Sequence, residues 1–366
     1  MVARKAPVLA ADGAVLFLER VSPALEQVDS SSGAIGTAVN RAIAQLAPII
    51  EAAPADVATR EQWLERLWTA HEADAIPYIE TLADHWGALC SSKPLASAWA
   101  DRLLDVTRLA LSPDPSVRGY FHGTSACLSA LYAAERHQEL VDLLQGDVLW
   151  AYKQWSVRAL VTLGRKADAI RYAEAARGPW TDDGAVDAVC EEILLSSGLA
   201  DEAYTRYGVR ANHGGTYLAT FRRVAAKYPN RKPGDILANL AATTPGNEGK
   251  WFAAAKDAGL YDEALALAGQ SPCDPRTLTR AARDFVDAEP RFSFEVGLLA
   301  LRWLVEGYGY EITGADVRAA YGSTIAAAER LGSLDDARHR IRELLLSAEP
   351  GARVVRDLLG REQELS

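Results

Sequence analysis

The chain has 366 residues, enough for two ordinary domains or one extended repeat array, and its 49% apolar content suits a large buried core. Acidic residues outnumber basic ones by 49 to 39, and the formal charge of -10 opposes whole-surface attraction to nucleic acid or to an anionic membrane. Cys90, Cys127, Cys190 and Cys273 form no CxxC pair, so neither a disulfide framework nor a zinc knuckle is indicated, and reduced, mostly buried thiols are expected.

The first apolar stretch is interrupted by Asp12 and Gly13 before it reaches signal-peptide length, and no window approaches ~18 consecutive apolar residues. These features predict a cytoplasmic protein with no membrane partner. Further along, Ile35, Val39, Ile43, Leu46 and Ile50 recur at helical steps, and Leu95, Trp99, Leu103, Val106 and Ala110 repeat the pattern with Asp101, Arg102, Asp105 and Arg108 opposite. Between them, Trp63, Leu64, Leu67 and Trp68 form one stripe and Ile79, Leu82 and Trp86 another, aromatic positions that belong to a core.

Runs of β-branched residues alternating with polar ones are missing, while alanine, leucine, arginine and glutamate dominate. Clusters such as "SPDPSVRG", "YPNRKPGD" and "TTPGNEG" cut the chain into pieces of helix length. The fold class is therefore all-α. Residues 1–112 read as an N-terminal helical region continuous with a repeat region over residues 113–366.

The repeat shows when the chain is aligned with itself. Gly164 leads "GRKADAI", Gly198 "GLADEAY", Gly259 "GLYDEAL" and Gly332 "GSLDDAR", each with an alanine five residues on. A fainter copy, "ERHQELV", begins at Glu135 and carries Leu140 in the alanine position. The first interval is 34 residues, and the later ones of 61 and 73 bracket twice that length, a period of helical hairpins. Glycine ends one helix in a left-handed conformation, acidic residues favour the positive start of the next, and alanine lets the pair approach closely.

With Tyr261, Asp262, Glu263 and Ala264 in one copy and Ala169, Ile170, Tyr172 and Ala176 in another, these phrases resemble the turn and second helix of a tetratricopeptide repeat. The resemblance spans about residues 130–345 intermittently and implies a right-handed α-solenoid of antiparallel hairpins. The family's leucine-glycine pair is not recognisable in the first helix of most copies. "GNEGKWFAAAKDAGLYDEALALA" and "RWLVEGYGYEITGADVRAAYGS" also resemble segments of a bacterial group of helical proteins of unknown function, which implies no chemistry. In the second segment Thr313 and Asp316 predict a capping box.

Catalytic and metal signatures fail one by one. His71 is followed by Glu72 but has Ala75 where a second histidine would stand, and His85 lies beside Asp84 on a predicted helix; both read as structural. Asp182, Asp183, Asp187, Glu191 and Glu192 lack the ligand alternation of a calcium loop and read as an acidic helix start. Ser125 and Cys127 in "GTSACLSA" lack the second glycine and the strand of a nucleophile elbow. "EGYGYEITG" has no Walker lysine. No cofactor or metal is expected.

One charge anomaly stands out. Between Glu202 and Asp235 there is no acidic residue, while Arg206, Arg210, Arg222, Arg223, Lys227, Arg231 and Lys232 supply seven positive charges. Such a face is either solvated and paired with acidic neighbours or an anion-attracting wall. Arg206, Arg210, Tyr217, Arg222, Arg223 and Lys227 are the candidate binding residues. The expected function is non-catalytic recognition of a protein or acidic peptide on a concave solenoid face. The alternatives are a nucleic-acid-binding solenoid using residues 206–232, an enzyme whose cleft assembles from distant residues, and self-association into a homo-oligomer.

Overall fold

The computed structural model describes residues 5–29, 33–146, 149–179 and 181–363. Their architecture is all-helical, as the sequence predicts, with twenty α-helices and no strand among the described residues. The chain divides into two compact units, residues 1–197 and 198–366.

The first unit holds α1 (Pro7–Leu25), α2 (Ala34–Glu51), α3 (Val57–Glu72), α4 (Trp86–Cys90), α5 (Lys93–Ala110), α6 (Thr124–Ala133), α7 (His137–Leu143), α8 (Trp150–Thr162), α9 (Lys166–Ala175) and α10 (Asp183–Leu195). Helices consecutive in sequence pack as neighbours: α1 on α2 and α3, α5 on α6, α7 on α8, α8 on α9, and α9 on α10. The predicted aromatic stripes form the core. Trp68, Trp86 and Trp99 meet edge to face or tilted, with ring centroids 5.0 to 5.7 Å apart, and the Arg102 guanidinium lies 4.4 Å over Trp99.

Two local expectations change. Val106 is 47% exposed, because the buried arc of α5 runs through Ala100, Leu103, Leu104 and Thr107 against α6 and leaves position 106 on its flank. Residues 80–90 form a 3-10 turn, Glu80–His85, followed by the short α4 rather than one helix. Ile79, Leu82 and Trp86 are nonetheless fully buried. Before the turn, the Asp74 carboxylate accepts from the backbone N–H of Tyr78 and Ile79 at 3.3 and 2.8 Å, and Gly87 lies so close to the Ser129 carbonyl that a Cβ there would meet it at 2.2 Å.

The second unit holds α11 (Ala200–Ala203), a π-helical turn (Tyr204–Gly208), α12 (Tyr217–Lys227), α13 (Pro233–Ala242), a 3-10 turn (Glu248–Trp251), α14 (Phe252–Asp257), α15 (Tyr261–Gln270), α16 (Pro275–Asp284), α17 (Pro290–Val305), α18 (Gly314–Leu331), α19 (Leu334–Leu345) and α20 (Ala352–Gln363). Here α14 packs on α15, while α16, α17 and α18 pack on one another. Phe252, Tyr261, Phe285 and Phe292 form its aromatic centre, with centroids 4.7 to 6.2 Å apart.

The four glycine corners have the left-handed backbone that the sequence predicts. Gly164, Gly198, Gly259 and Gly332 all have φ between 66° and 76°. At Gly164 the next residue's N–H returns to the Leu160 carbonyl, at Gly259 to Ala255 and at Gly332 to Ala328, at 2.8 to 3.0 Å, the bond that closes a helix with a left-handed cap. The alanines five residues on, Ala169, Ala203, Ala264 and Ala337, are all completely buried. Glu135 adopts the same left-handed φ of 59° without being glycine, its successor's N–H bonds to Leu131 O, and Leu140 is buried as the alanines are. The Thr313–Asp316 capping box is formed at the start of α18.

Candidate functional site

The candidate binding residues all lie in the second unit, and the structure gives each of them a partner. Arg206 donates to Glu202 at 2.6 Å and lies 5.0 Å over the Tyr207 ring. Arg222 makes a two-bond contact with Asp257, 2.9 and 2.5 Å, which holds that carboxyl below its usual range. Arg231 reaches Asp201 at 2.8 Å and stacks 3.8 Å over Tyr204. Arg210 donates to the Arg206 carbonyl, Arg223 to the His213 carbonyl at 3.0 Å, and Lys227 to Asn212 Oδ1 at 3.4 Å. Tyr217 stands edge-on to Trp251 with Lys250 5.8 Å from its ring centre. On α12 the side chains of Phe221 and Val224 are buried, as is Tyr228 just beyond its end.

A different feature of the first unit has the form of a ligand site. A cleft of about 780 Å³ opens between the end of α5 with its following loop, the first turn of α8, and the residues that follow α9. That volume is in the ordinary range for bound small molecules or a few peptide residues. Arg118, Lys153 and Arg177 contribute the charges, and Tyr120, Phe121, Trp150 and Tyr152 the rings. Among the described residues, no aspartate, glutamate, histidine, serine or cysteine lines it. That the charged lining residues among those described are all cations, in a chain of charge -10, is a local inversion of the whole.

The three cations differ in availability. Arg177 turns its guanidinium inward to Asp187 and also lies 3.4 Å from Asp183, so its charge is largely compensated. Arg118 donates from Nε to the Ser112 carbonyl at 2.8 Å, which fixes the loop but leaves its charge uncancelled. Among the described residues, no carboxylate lies within ion-pair distance of Arg118 or Lys153.

The remaining polar groups are committed or inert. Thr124 and Thr181 donate to the carbonyls of Phe121 and Ala176 at 2.9 and 2.7 Å. The Tyr120 hydroxyl donates to Glu80 Oε1 at 3.0 Å, and its phenol is pushed up to about 12 by burial and by that carboxylate. Burial also raises the Tyr152 phenol. Neither ring ionises near neutral pH, so the described lining residues offer charge, donors and flat apolar surface, and none of them is poised for proton transfer or nucleophilic attack.

The sequence motifs weighed as chemistry find structural roles. His71 is buried with Nε2 3.2 Å from the His122 carbonyl, Cys127 is fully buried with its thiol raised to about 11, and Asp182 caps α10 through Gly184 N. The described residues contain no metal-holding cluster of histidine, cysteine and acidic side chains, and no helix long and apolar enough to cross a membrane. The cleft escaped sequence analysis because its walls come from three separated segments, two of them loops. The signal that was present is the run "RGYF", residues 118–121, which overlaps the end of a cluster read only as punctuation. Comparison with protein-family profiles, with curated proteins and with solved structures found no match.

Proposed function

We propose that the protein is a non-catalytic recognition scaffold, a right-handed array of tetratricopeptide-like hairpins, that holds an acidic segment of a partner protein in the cleft of its first unit. The observation that carries this reading is the cleft lining: cations and aromatic rings with no acidic side chain among the described residues, in a chain whose overall charge is -10. The recurrent glycine corners support the hairpin array, and the cations and rings of the described lining residues, which include no acid-base pair, support binding over catalysis. The second-unit cations are weaker candidates, because Arg206 and Arg222 already hold carboxylates of their own unit.

The test is fluorescence anisotropy of a labelled glutamate-containing peptide. Lys153→Glu and Arg118→Glu are each expected to weaken capture about tenfold or more, since they replace attraction by repulsion at a desolvating site. Helical circular dichroism should stay unchanged. Arg222→Glu with Arg223→Glu is expected to change capture less than about twofold, as those side chains are exposed and already paired. Capture that survives both cleft variants, or a short oligothymidylate that binds more tightly than any acidic peptide, overturns the reading.

A further inference from the structure

The acid-binding cations occupy only part of the cleft. Trp150 and Lys153 stand three residues apart at the start of α8, so they share one helix face with Cβ atoms about 5–6 Å apart. A ring surface and an uncompensated ammonium group are therefore presented side by side by one rigid turn. Ala110, Leu111, Ala176 and Pro179 complete an apolar surround that an anion alone would not need and would be desolvated against at a cost.

The rings themselves are unfinished contacts. Elsewhere in this unit aromatic side chains pack on one another, as Trp68, Trp86 and Trp99 do, and as Tyr132 does with Trp155. Among the described residues, no ring packs on Trp150 or Tyr152, although both border the same half-open space, whereas the Phe121 ring lies against Gly123 beside Trp68. Aromatic faces left without a partner in a concave, cation-lined site match a ligand that brings its own ring.

Peptide geometry then sets the spacing. In an extended segment, side chains at i and i+2 point the same way and lie about 6.6 Å apart, close to the Trp150–Lys153 separation, whereas neighbours at i and i+1 point to opposite sides. We infer that the acidic segment held by this cleft carries an aromatic side chain two residues from its carboxylate, with the carboxylate on Lys153 and Arg118 and the ring on Trp150. This inference rests on the acidic-segment reading above and narrows it to an acid-x-aromatic motif.

The test compares four labelled peptides in one glycine-serine background: Glu-Ser-Phe, Glu-Phe-Ser, glutamate alone and phenylalanine alone. With the unaltered protein, Glu-Ser-Phe is expected to bind about tenfold more tightly than glutamate alone, and Glu-Phe-Ser to gain less than threefold. Trp150→Ala should erase the gain, so that Glu-Ser-Phe binds that variant no more than about twofold better than glutamate alone. The spacing comparison needs no variant and stands even if Trp150→Ala folds poorly. A gain under twofold, or one equal for both spacings, overturns the inference; if Lys153→Glu still abolishes capture of the glutamate peptide, the acidic-segment reading survives. If phenylalanine alone binds as well as Glu-Ser-Phe, both fall.

Discussion

Arg60 shows how one charged residue can be buried without an acidic partner. Only 4% of it is exposed, yet its guanidinium donates to four backbone carbonyls: Ile50 at 2.7 Å, Ala53 at 2.6 Å, Leu89 at 3.2 Å and Glu51 at 3.4 Å. Three of these acceptors lie at or just beyond the C-terminus of α2, where carbonyls lack intrahelical donors and the helix dipole is negative, so the cation answers both needs. The fourth closes α4 onto the same point. Burial lowers the guanidinium pKa from its usual value, but it stays far above neutrality and the group remains charged. Replacing Arg60 by leucine removes the donors and strands several desolvated acceptors, and is expected to cost about 3 kcal/mol in urea unfolding. Lysine should recover less than half of that, because one ammonium cannot reproduce the planar fork. A loss below about 1 kcal/mol for leucine would show that water satisfies these carbonyls in place of the side chain.

At the scale of the element, caps decide where helices begin and end. The Thr313–Asp316 box closes the start of α18, and Asp316 also receives two bonds from Arg276, at 2.9 and 3.0 Å. Arg276 first, and the Thr313 N–H second, hold the Asp316 carboxyl well below the usual carboxylate range. Its folded pKa therefore lies below its unfolded value of about 3.9, so the contribution is complete above that pH and is lost only as pH falls through the depressed folded value. Asp316→Ala is expected to cost about 1–2 kcal/mol at pH 7. The difference from the unaltered protein should shrink steadily below about pH 4; a pH-independent difference would assign the effect to packing. This box was legible in the sequence because its parts are three residues apart, as were the glycine corners and their alanines. What pairs over a distance was not: the Arg222 partner, Asp257, lies 35 residues on. The left-handed corner at Glu135 was only faint, since nothing in its chemistry marks it as glycine does. The cleft was hidden for the same reason as the Asp257 pairing. Trp150 and Lys153 are visible as one helical face, but only folding brings residues 118–121, 175–179 and 181 to them.

For the whole molecule the governing fact is that each unit has its own apolar centre, the tryptophan cluster in one and the Phe252–Tyr261–Phe285–Phe292 group in the other. Helices that pack mainly on their neighbours along the chain stabilise one another locally, so cooperativity extends only as far as packing is continuous. Two units with separate cores are expected to unfold in two steps, with a calorimetric enthalpy that exceeds the van't Hoff enthalpy. The two substitutions above allow each step to be assigned. Arg60→Leu lies in the first unit and should move one transition to lower temperature by several degrees, leaving the other in place. Asp316→Ala lies in the second and should do the reverse. A bound Glu-Ser-Phe peptide should raise only the transition that Arg60→Leu lowers, because a ligand stabilises the state that holds it. If both substitutions shift a single transition by similar amounts, the chain folds as one cooperative body and the division into two units has no energetic meaning.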